Sequence, residues 1–374
     1  MSMTTPIYTK AVIEAMPPEK ARINVDEYLK KNSSLVNIEI EKTMPHTIDQ
    51  EWMESAYGKA TYSYDQDSIQ RAVIDPIWDL LDRGGKRWRP ILMLLCCEAV
   101  GGNQEKAKKY TALLELLHNG TLMIDDLEDS SELRRKKPCT YKLFGTDIAV
   151  NAGNAMYYLT YLPLLHEKEL PDSTKLKIHE LVAREMIRLH AGQGMDILWH
   201  RGQKFNISEA EYLQMCAYKT GVLARASTKL GGILGNGSEK QIEKLGKFGE
   251  SVGVAFQIQD DILNLVGEEF GKGKGVGEDI HEGKRTIMVL HTLKNASEED
   301  KKRLLEILNT HPEDQETIQE AIEIIKKNHS IEYAKAKAKE LVEESWKELE
   351  PVLINSNAKN ILQAFAEYLI SRSV

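Results

Sequence analysis

Apolar residues recur at intervals of three and four along most of the chain, the spacing of one face of an α-helix. Leu113, Leu114 and Leu117 lead on to Ile124 in this way. Only four of the eleven prolines lie beyond residue 138, which leaves long stretches without a helix breaker. No strand alternation and no hairpin signal stand out. The pattern predicts an all-α protein folded as a single large helical bundle.

Several polar residues stand where a helix is expected to begin. Asp172, Ser208 and Ser297 each precede a helical pattern, and their side-chain oxygens can accept the first N–H groups of a helix. Residues 1–66 differ from the rest, because they combine several prolines with a cluster of Trp and Tyr. We therefore predict an N-terminal extension of unknown role over residues 1–66 and one domain over residues 67–374.

Composition excludes several classes of partner. The net charge of −8 and the pI near 5.8 argue against nucleic acid as a ligand. The sequence contains no run of 18 apolar residues, so it predicts no transmembrane segment. The four cysteines form no CxxC pair, which favours free thiols in a reducing compartment. The early acidic residues are not typical of a leader peptide, so the expected location is cytoplasmic.

Two acidic turns follow apolar helical runs. The first is Asp125-Asp126-Leu127-Glu128-Asp129, and the second contains Asp260 and Asp261. On a helix, Asp125 and Asp129 lie one turn apart on the same face. A single such turn is usually a solvated acidic surface, but two of them beside buried stripes are costly without a bound cation. Mg²⁺ binds one or two carboxylates together with waters and phosphate oxygens, so we expect several Mg²⁺ ions that bridge a diphosphate.

Basic clusters accompany both acidic turns. The chain has GGKRWRP at residues 84–90, RRKK at 134–137, Lys219-Thr220, GKGKGVG at 271–277 and EGKR at 282–285. Lysine and arginine supply the charge that a diphosphate needs, and glycines allow backbone N–H groups to approach it. Each cluster alone would be a solvated face or a flexible loop. Together they predict a site for phosphorylated substrates.

The order of these motifs resembles the trans-isoprenyl diphosphate synthase family, also called polyprenyl synthetases, over about residues 68–350. The chain is most similar to its geranylgeranyl diphosphate synthases. The resemblance implies an isoprenoid-synthase bundle with a central apolar tunnel. It also implies a homodimer and a prenyltransferase reaction. The expected substrates are isopentenyl diphosphate and an allylic diphosphate (dimethylallyl, geranyl or farnesyl).

The resemblance also implies residue roles. Four residues match those that hold isopentenyl diphosphate: Lys86, Arg89, His118 and Arg135. The matches for the allylic diphosphate are Arg134, Lys219, Thr220, Gln257, Lys274 and Lys284. The expected metal residues are Asp125, Asp126, Asp129, Asp260 and Asp261, with Asp126 in a supporting role. The expected catalytic set is Asp125, Asp129, Lys219, Asp260 and Arg134.

One position departs from the family pattern. The second acidic motif often ends in a third aspartate, but this chain has Asn264, which we do not expect to bind metal. In the first helix, Gly120 and Thr121 are small where farnesyl-forming relatives tend to carry an aromatic plug. Leu117 lies deeper, about 12 Å from Asp125 along the helix axis. These chain-length residues, with floor candidates Tyr157, Tyr158 and Tyr161 on a later helix, favour a C20 product.

Alternatives stay open at this point. A farnesyl (C15) or longer (C25 and above) synthase would use the same motifs. A terpene cyclase also uses an aspartate-rich helix, but it has no need of the isopentenyl site. A non-catalytic partner subunit would be expected to lose one of the motifs, and this chain has both. Close helix packing is a further explanation for the small Gly120 and Thr121.

Overall fold

The computed structural model describes residues 23–204, 206–266 and 277–371, and helices make up most of them. This confirms the all-α prediction. The helices are α1 (Val25–Thr43), α2 (Gln50–Tyr57), α3 (Gln66–Ile69), α4 (Asp75–Asp82), α5 (Trp88–Ala99), α6 (Gln104–Ala107), α7 (Thr111–Glu128), α8 (Thr140–Phe144), α9 (Thr146–Leu159), α10 (Leu162–Leu165), α11 (Asp172–His200), α12 (Glu209–Cys216), α13 (Val222–Leu234), α14 (Glu239–Val266), α15 (Glu278–His281), α16 (Ile287–Asn295), α17 (Glu298–Thr310), α18 (Gln315–Lys327), α19 (Ser330–Leu349) and α20 (Asn357–Ser371).

The predicted helix starts agree with the structure. Asp172 is the first residue of α11, and Ser297 caps α17 by accepting the N–H of Asp300. Ser208 caps α12 in a capping box, in which the Glu211 side chain returns a hydrogen bond to the cap. Side-chain caps therefore determine the starts of α12 and α17, whereas α11 begins after Pro171 and has no side-chain cap, so the expected capping by Asp172 was wrong.

The chain also forms short elements of other kinds. Within the described ranges, two 3₁₀ turns (Lys108–Tyr110 and Glu350–Val352) and two π-helical turns (Gln70–Ile74 and Ala217–Gly221) adjoin the helices. A small antiparallel hairpin pairs β1 (Leu133–Arg134) with β2 (Lys137–Pro138). The sequence showed no signal for this hairpin.

The core lies between α5, α7, α13, α14 and α19, with α9 against α7 and α11 against α13. Helix α1 packs on α5 and α7, and its side chains Val25, Leu29, Val36 and Ile40 belong to the main buried cluster. The domain boundary near residue 66 stays a prediction, but α1 shares the core of the following helices. Among the helices in the described ranges, none has both the length and the apolar character needed to cross a bilayer.

Candidate active site

A cavity of about 470 Å³ lies between the ends of α7 and α14, where the two acidic turns meet. Asp125 and Asp260 both line it, together with Lys86, Arg89 and Lys219. The lining also includes six apolar or aromatic side chains, namely Leu122, Ile124, Tyr157, Leu189, Leu223 and Phe256. The structure thus places charged and apolar side chains around one cavity, as expected for a substrate with a diphosphate head and a hydrocarbon tail.

The three aspartates of the first turn have different environments. Asp125 faces the cavity, whereas Asp126 is buried and its Oδ1 accepts a hydrogen bond from Arg134 Nε at 2.7 Å. Asp129 follows the last residue of α7, and its Oδ1 is buried with no hydrogen-bond partner in the described residues. Burial, and then the charge of Asp125, raises the pKa of Asp129 to about 7.

This arrangement fits a cation. Carboxylates at the C-terminal end of a helix face the negative end of its dipole, and Asp125 and Asp129 also repel each other. A divalent ion would relieve both effects and would supply the partner that Asp129 Oδ1 lacks in the described residues. In the described residues, no three His, Cys, Asp or Glu side chains already form a complete metal site. Diphosphate oxygens would have to complete the ligand set.

Lys219 lies in the π-helical turn Ala217–Gly221, a kind of turn that often occurs at functional sites. Its Nζ lies 2.6 Å from Asp196 Oδ2 and 3.2 Å from Asp125 Oδ1. Burial alone would lower the pKa of Lys219, but Asp196, Asp125 and Asp129 raise it above its ordinary value. Lys219 therefore keeps its positive charge at the mouth of the cavity.

Arg89 and His118 form a second polar group in the lining of the same cavity. Arg89 Nη1 and His118 Nε2 are 3.2 Å apart, and both side chains line the cavity. Burial lowers the pKa of Arg89 to about 10. Burial, and then the charge of Arg89, holds the pKa of His118 well below its ordinary value. His118 is thus neutral near pH 7, and an anion bound here would offset the crowding of positive charge.

The hairpin between β1 and β2 carries Arg134 and Arg135 into the cavity. Arg135 and Lys136 form its turn with φ of 52° and 67°, a conformation that usually requires Gly or Asn. Arg135 is held by hydrogen bonds from Nη1 to Leu80 O and from Nη2 to Asn119 Oδ1, each at 3.2 Å. Burial, and then the charge of Arg87, lowers the pKa of Arg135 to about 10.

The two adjacent aspartates of the second acidic turn also have different environments. Asp260 lines the main cavity, whereas Asp261 is buried and accepts hydrogen bonds from Tyr212 OH at 2.7 Å and Gln257 Nε2 at 2.9 Å. Burial, and then the charge of Asp279, raises the pKa of Asp261 to about 8. Asp261 faces a smaller cavity of about 60 Å³. Lys219 and Gln257 line both cavities, so the two are neighbours.

Two further expected substrate residues lie near this turn. Thr220 donates from Oγ1 to Gln257 Oε1 at 2.7 Å, and both line the main cavity. Lys284 lines the smaller cavity and lies 3.1 Å from Asp279 Oδ1. Lys274, also expected to bind the allylic diphosphate, lies outside the described residues.

The three chain-length residues occupy different positions. Thr121 lines the cavity. Gly120 instead faces α9: a Cβ there would lie 3.0 Å from Met156 Cβ and 3.1 Å from Gly153 O. Leu117 is buried deeper, in a cluster with Tyr157 and Tyr161 packed against it. Tyr158 was a floor candidate, but it is 75% exposed, so that expectation was wrong.

Comparison with known proteins identifies the family. The family model described as "Polyprenyl synthetase" matches residues 70–325. A short chain isoprenyl diphosphate synthase of Methanothermobacter thermautotrophicus is 37% identical over 294 residues, which is 78% of this chain and 88% of that protein. The chain belongs to the polyprenyl synthetase family. It is a prenyltransferase of the isoprenyl diphosphate synthase type, which confirms the resemblance read from the motifs.

Two geranylgeranyl synthases are also similar to this polyprenyl synthetase. The geranylgeranyl diphosphate synthase of Saccharolobus solfataricus is 35% identical over 295 residues, or 78% of this chain and 88% of that protein. The crystal structure of the geranylgeranyl pyrophosphate synthetase from Pyrococcus horikoshii has a TM-score of 0.81 and 31% identity. The match between the two structures covers 93% of this chain and 98% of the Pyrococcus horikoshii chain. The helical bundle is therefore that of the isoprenyl synthases.

Two polar residues of the candidate site, both on α11, were not among those predicted from the sequence. Gln193 Nε2 donates to Asp125 Oδ1 and to Glu128 Oε2, each at 2.9 Å. Asp196 binds Lys219, and Lys219 with Lys284 holds the pKa of Asp196 below its ordinary value although burial raises it. The sequence did contain a signal for them, because polar residues three apart on a helix lie on the same face and can point to one site. A Cβ on the preceding Gly192 would lie 2.4 Å from Lys219 N, so only glycine allows this approach.

Proposed function

We propose that this prenyltransferase condenses isopentenyl diphosphate with an allylic diphosphate and forms geranylgeranyl diphosphate and pyrophosphate. The observation that carries the proposal is one cavity lined by an aspartate from each acidic turn, by several basic side chains and by apolar side chains. A terpene cyclase would need one diphosphate site. The Arg89–His118 pair, with Lys86 and Arg135, supports a second one.

Two sets of polar side chains would bind the two substrates. Lys86, Arg89, His118 and Arg135 are proposed to hold isopentenyl diphosphate. Arg134, Lys219 and Lys284 would hold the allylic diphosphate, where negative charge grows as its C–O bond breaks. Fixed charges oriented before the reaction stabilise such a leaving group more than mobile water does. The apolar lining would exclude water from the allylic cation until the isopentenyl double bond attacks it. The proton then lost would pass to the departing pyrophosphate.

Mg²⁺ is proposed as the cofactor. Asp125, Asp129 and Asp260 would hold it through their carboxylates, and when bound it would neutralise the leaving diphosphate as a Lewis acid. The raised pKa of Asp129 and its buried Oδ1 support this assignment. Asp126 and Asp261 were grouped with the metal residues by sequence. Their contacts with Arg134 and Tyr212 favour supporting roles instead.

Product length is proposed to be C20. Tyr157 and His190 both line the cavity, and their rings meet edge to face with centroids 6.0 Å apart. We infer that this aromatic pair limits the tail, while Thr121 leaves room for a chain longer than C15. The name of the Saccharolobus solfataricus relative supports the same product. A C15 or C25 product remains the alternative.

We also propose a homodimer, with α9 and α11 at the interface. Tyr158 on α9 and Ile187 on α11 are 75% and 73% exposed, and Leu176 on α11 is 59% exposed. Large apolar side chains exposed on two helices are typical of a covered surface. Light scattering should give twice the mass of the chain, and Ile187→Asp should reduce it to the monomer. The four buried free thiols support the proposed cytoplasmic location.

The deciding experiment is product analysis. The purified chain is incubated with Mg²⁺, isopentenyl diphosphate and farnesyl diphosphate, and the products are sized by chromatography after dephosphorylation. We expect a C20 alcohol that disappears when isopentenyl diphosphate is omitted. Conversion of farnesyl diphosphate to C25 with no C20, or elongation of geranyl diphosphate that stops at C15 in a parallel incubation, would refute the assigned length. A hydrocarbon formed from farnesyl diphosphate alone would favour a cyclase.

A further inference from the structure

Asn264 stands where many relatives have the last aspartate of the second acidic motif. It is 6% exposed, near the end of α14, and it lines neither the main cavity nor the smaller one. Its side-chain Oδ1 accepts the backbone N–H of Asp279 at 3.0 Å, and its backbone oxygen accepts the N–H of Gly277 at 2.9 Å. Asn264 therefore binds the start of the segment 277–285.

The first of these contacts replaces a helix cap. Helix α15 begins after Gly277, which has no side chain with which to satisfy the first N–H groups of the helix. Gly277 has a φ of 83°, and a Cβ at this position would lie 2.3 Å from Ile318 Cγ2. A capping residue cannot stand there. The amide oxygen of Asn264, from a different helix, supplies the acceptor that a Ser, Asn or Asp cap usually provides.

Asp279 in turn contacts Lys284, one of the lysines of the proposed site. Asp279 is buried, its Oδ1 lies 3.1 Å from Lys284 Nζ, and its backbone oxygen accepts the N–H of Lys284 at 2.9 Å. Lys284 and Lys219 line the smaller cavity together. Displacement of Asp279 would thus displace Lys284 through both its main chain and its side chain.

We propose that Asn264 is a positioning residue, which fixes Lys284 on the diphosphate side of the site by capping α15 and does not bind metal. The proposal rests on the proposed function, because Lys284 matters only if a diphosphate binds beside it. It explains why an amide can stand in the second acidic motif of an intact site. The requirement at this position is an oxygen acceptor for a buried N–H, and neither a charge nor a metal ligand is needed.

A double-mutant cycle tests this coupling. Inorganic pyrophosphate is titrated calorimetrically into the full chain with saturating Mg²⁺, for wild type, Asn264→Leu, Lys284→Ala and the double variant. We expect Asn264→Leu to weaken binding about 10-fold, as loss of a cap shifts Lys284. In the Lys284→Ala background the same change should cost less than about twofold, because coupled residues are not additive. Asn264→Asp keeps the acceptor and should bind within about threefold of wild type.

Control variants distinguish lost positioning of Lys284 from general damage to the fold and from a lost metal ligand. Asn328→Leu changes a half-buried asparagine at the end of α18, away from both cavities, and should leave binding unchanged. Asn264→Ala replaces the leucine variant if its thermal unfolding shows a misfolded chain. Additive losses from Asn264→Leu and Lys284→Ala would overturn the proposal. The titration of wild type and Asn264→Asp is also repeated at graded Mg²⁺ concentrations, and a lower Mg²⁺ requirement in Asn264→Asp would overturn the proposal, since that result identifies a metal ligand. Wild type that binds no pyrophosphate would instead refute the proposed function.

Discussion

The adjacent residues Asp125 and Asp126 should respond differently to the same substitution. Asp126 is 1% exposed and its Oδ1 accepts two N–H groups of Arg134, whereas the side chain of Asp125 is 23% exposed and faces the cavity. Breaking a buried ion pair costs about 3–5 kcal/mol. The Arg134 side chain is itself 23% exposed and lies 3.9 Å from Asp125. We therefore expect Asp126→Asn to cost about 2–3 kcal/mol of unfolding free energy.

Two measurements separate a structural role from a metal role. Thermal unfolding of Asp126→Asn should occur roughly 3 °C below wild type, while its half-saturating Mg²⁺ concentration should stay within about threefold. Asp125→Asn is the matched control. It should unfold near the wild-type temperature but lose about 100-fold or more in kcat. A wild-type unfolding temperature for Asp126→Asn, combined with a raised Mg²⁺ requirement, would show that Asp126 binds the metal and that its pairing with Arg134 is unimportant.

Three further outcomes follow from the same site. Thr121→Phe should shorten the product because Thr121 lines the cavity. Gly120→Ala should keep the product length but cost about 1–3 kcal/mol of unfolding free energy, because the added methyl group would press against Met156. Chromatography of the products and thermal unfolding of the variants check both expectations. Lys219→Met should lower kcat about 100-fold or more, and an unchanged kcat would contradict its role at the leaving group. Because the change leaves the buried Asp196 without its ion pair, it should also lower the unfolding temperature by an amount similar to Asp126→Asn. Because the folded pKa of Asp129 is about 7, above its ordinary 3.8, the folded chain holds a proton that the unfolded chain releases. Without Mg²⁺, stability from this group should therefore fall as pH rises from about 4 to about 7, and Mg²⁺ should abolish the fall in pH-dependent unfolding scans.

Features set by neighbouring residues could be predicted from the sequence. Helical periodicity predicted α7, and single polar residues predicted the starts of α12 and α17. Helix geometry also predicted that Asp125 and Asp129 share a face. The same geometry turns Asp126 about 100° away, but it cannot say which face meets the core. That distinction depends on Arg134, which arrives on a separate hairpin.

The hairpin itself shows why some elements have no sequence signal. Tight hairpin turns can usually be predicted from Asn or Gly in the sequence, because these residues tolerate positive φ. Here Arg135 and Lys136 take that conformation, and the strain at Arg135 is balanced by its hydrogen bonds to Leu80 and Asn119. Those partners lie 55 and 16 residues earlier in the chain. The turn propensity of an amino acid takes no account of its tertiary contacts. For Arg and Lys it therefore predicts no tight turn here, although the fold imposes one.

Long-range contacts also change how the N-terminal segment is understood. Lys86 Nζ lies 3.0 Å from Asp26 Oδ1 on α1 and 2.8 Å from Tyr368 OH on α20, residues that are 60 and 282 positions away. Tyr368 in turn donates to Asp26 at 2.6 Å. Lys86 and Asp26 are about half exposed, so their ion pair is worth only about 0–1 kcal/mol and does not hold the fold together. Its effect is on position: helices from both ends of the chain meet at a lysine of the proposed isopentenyl site. Composition suggested that the segment before residue 66 was separate from the domain, but through α1 it reaches the mouth of the cavity.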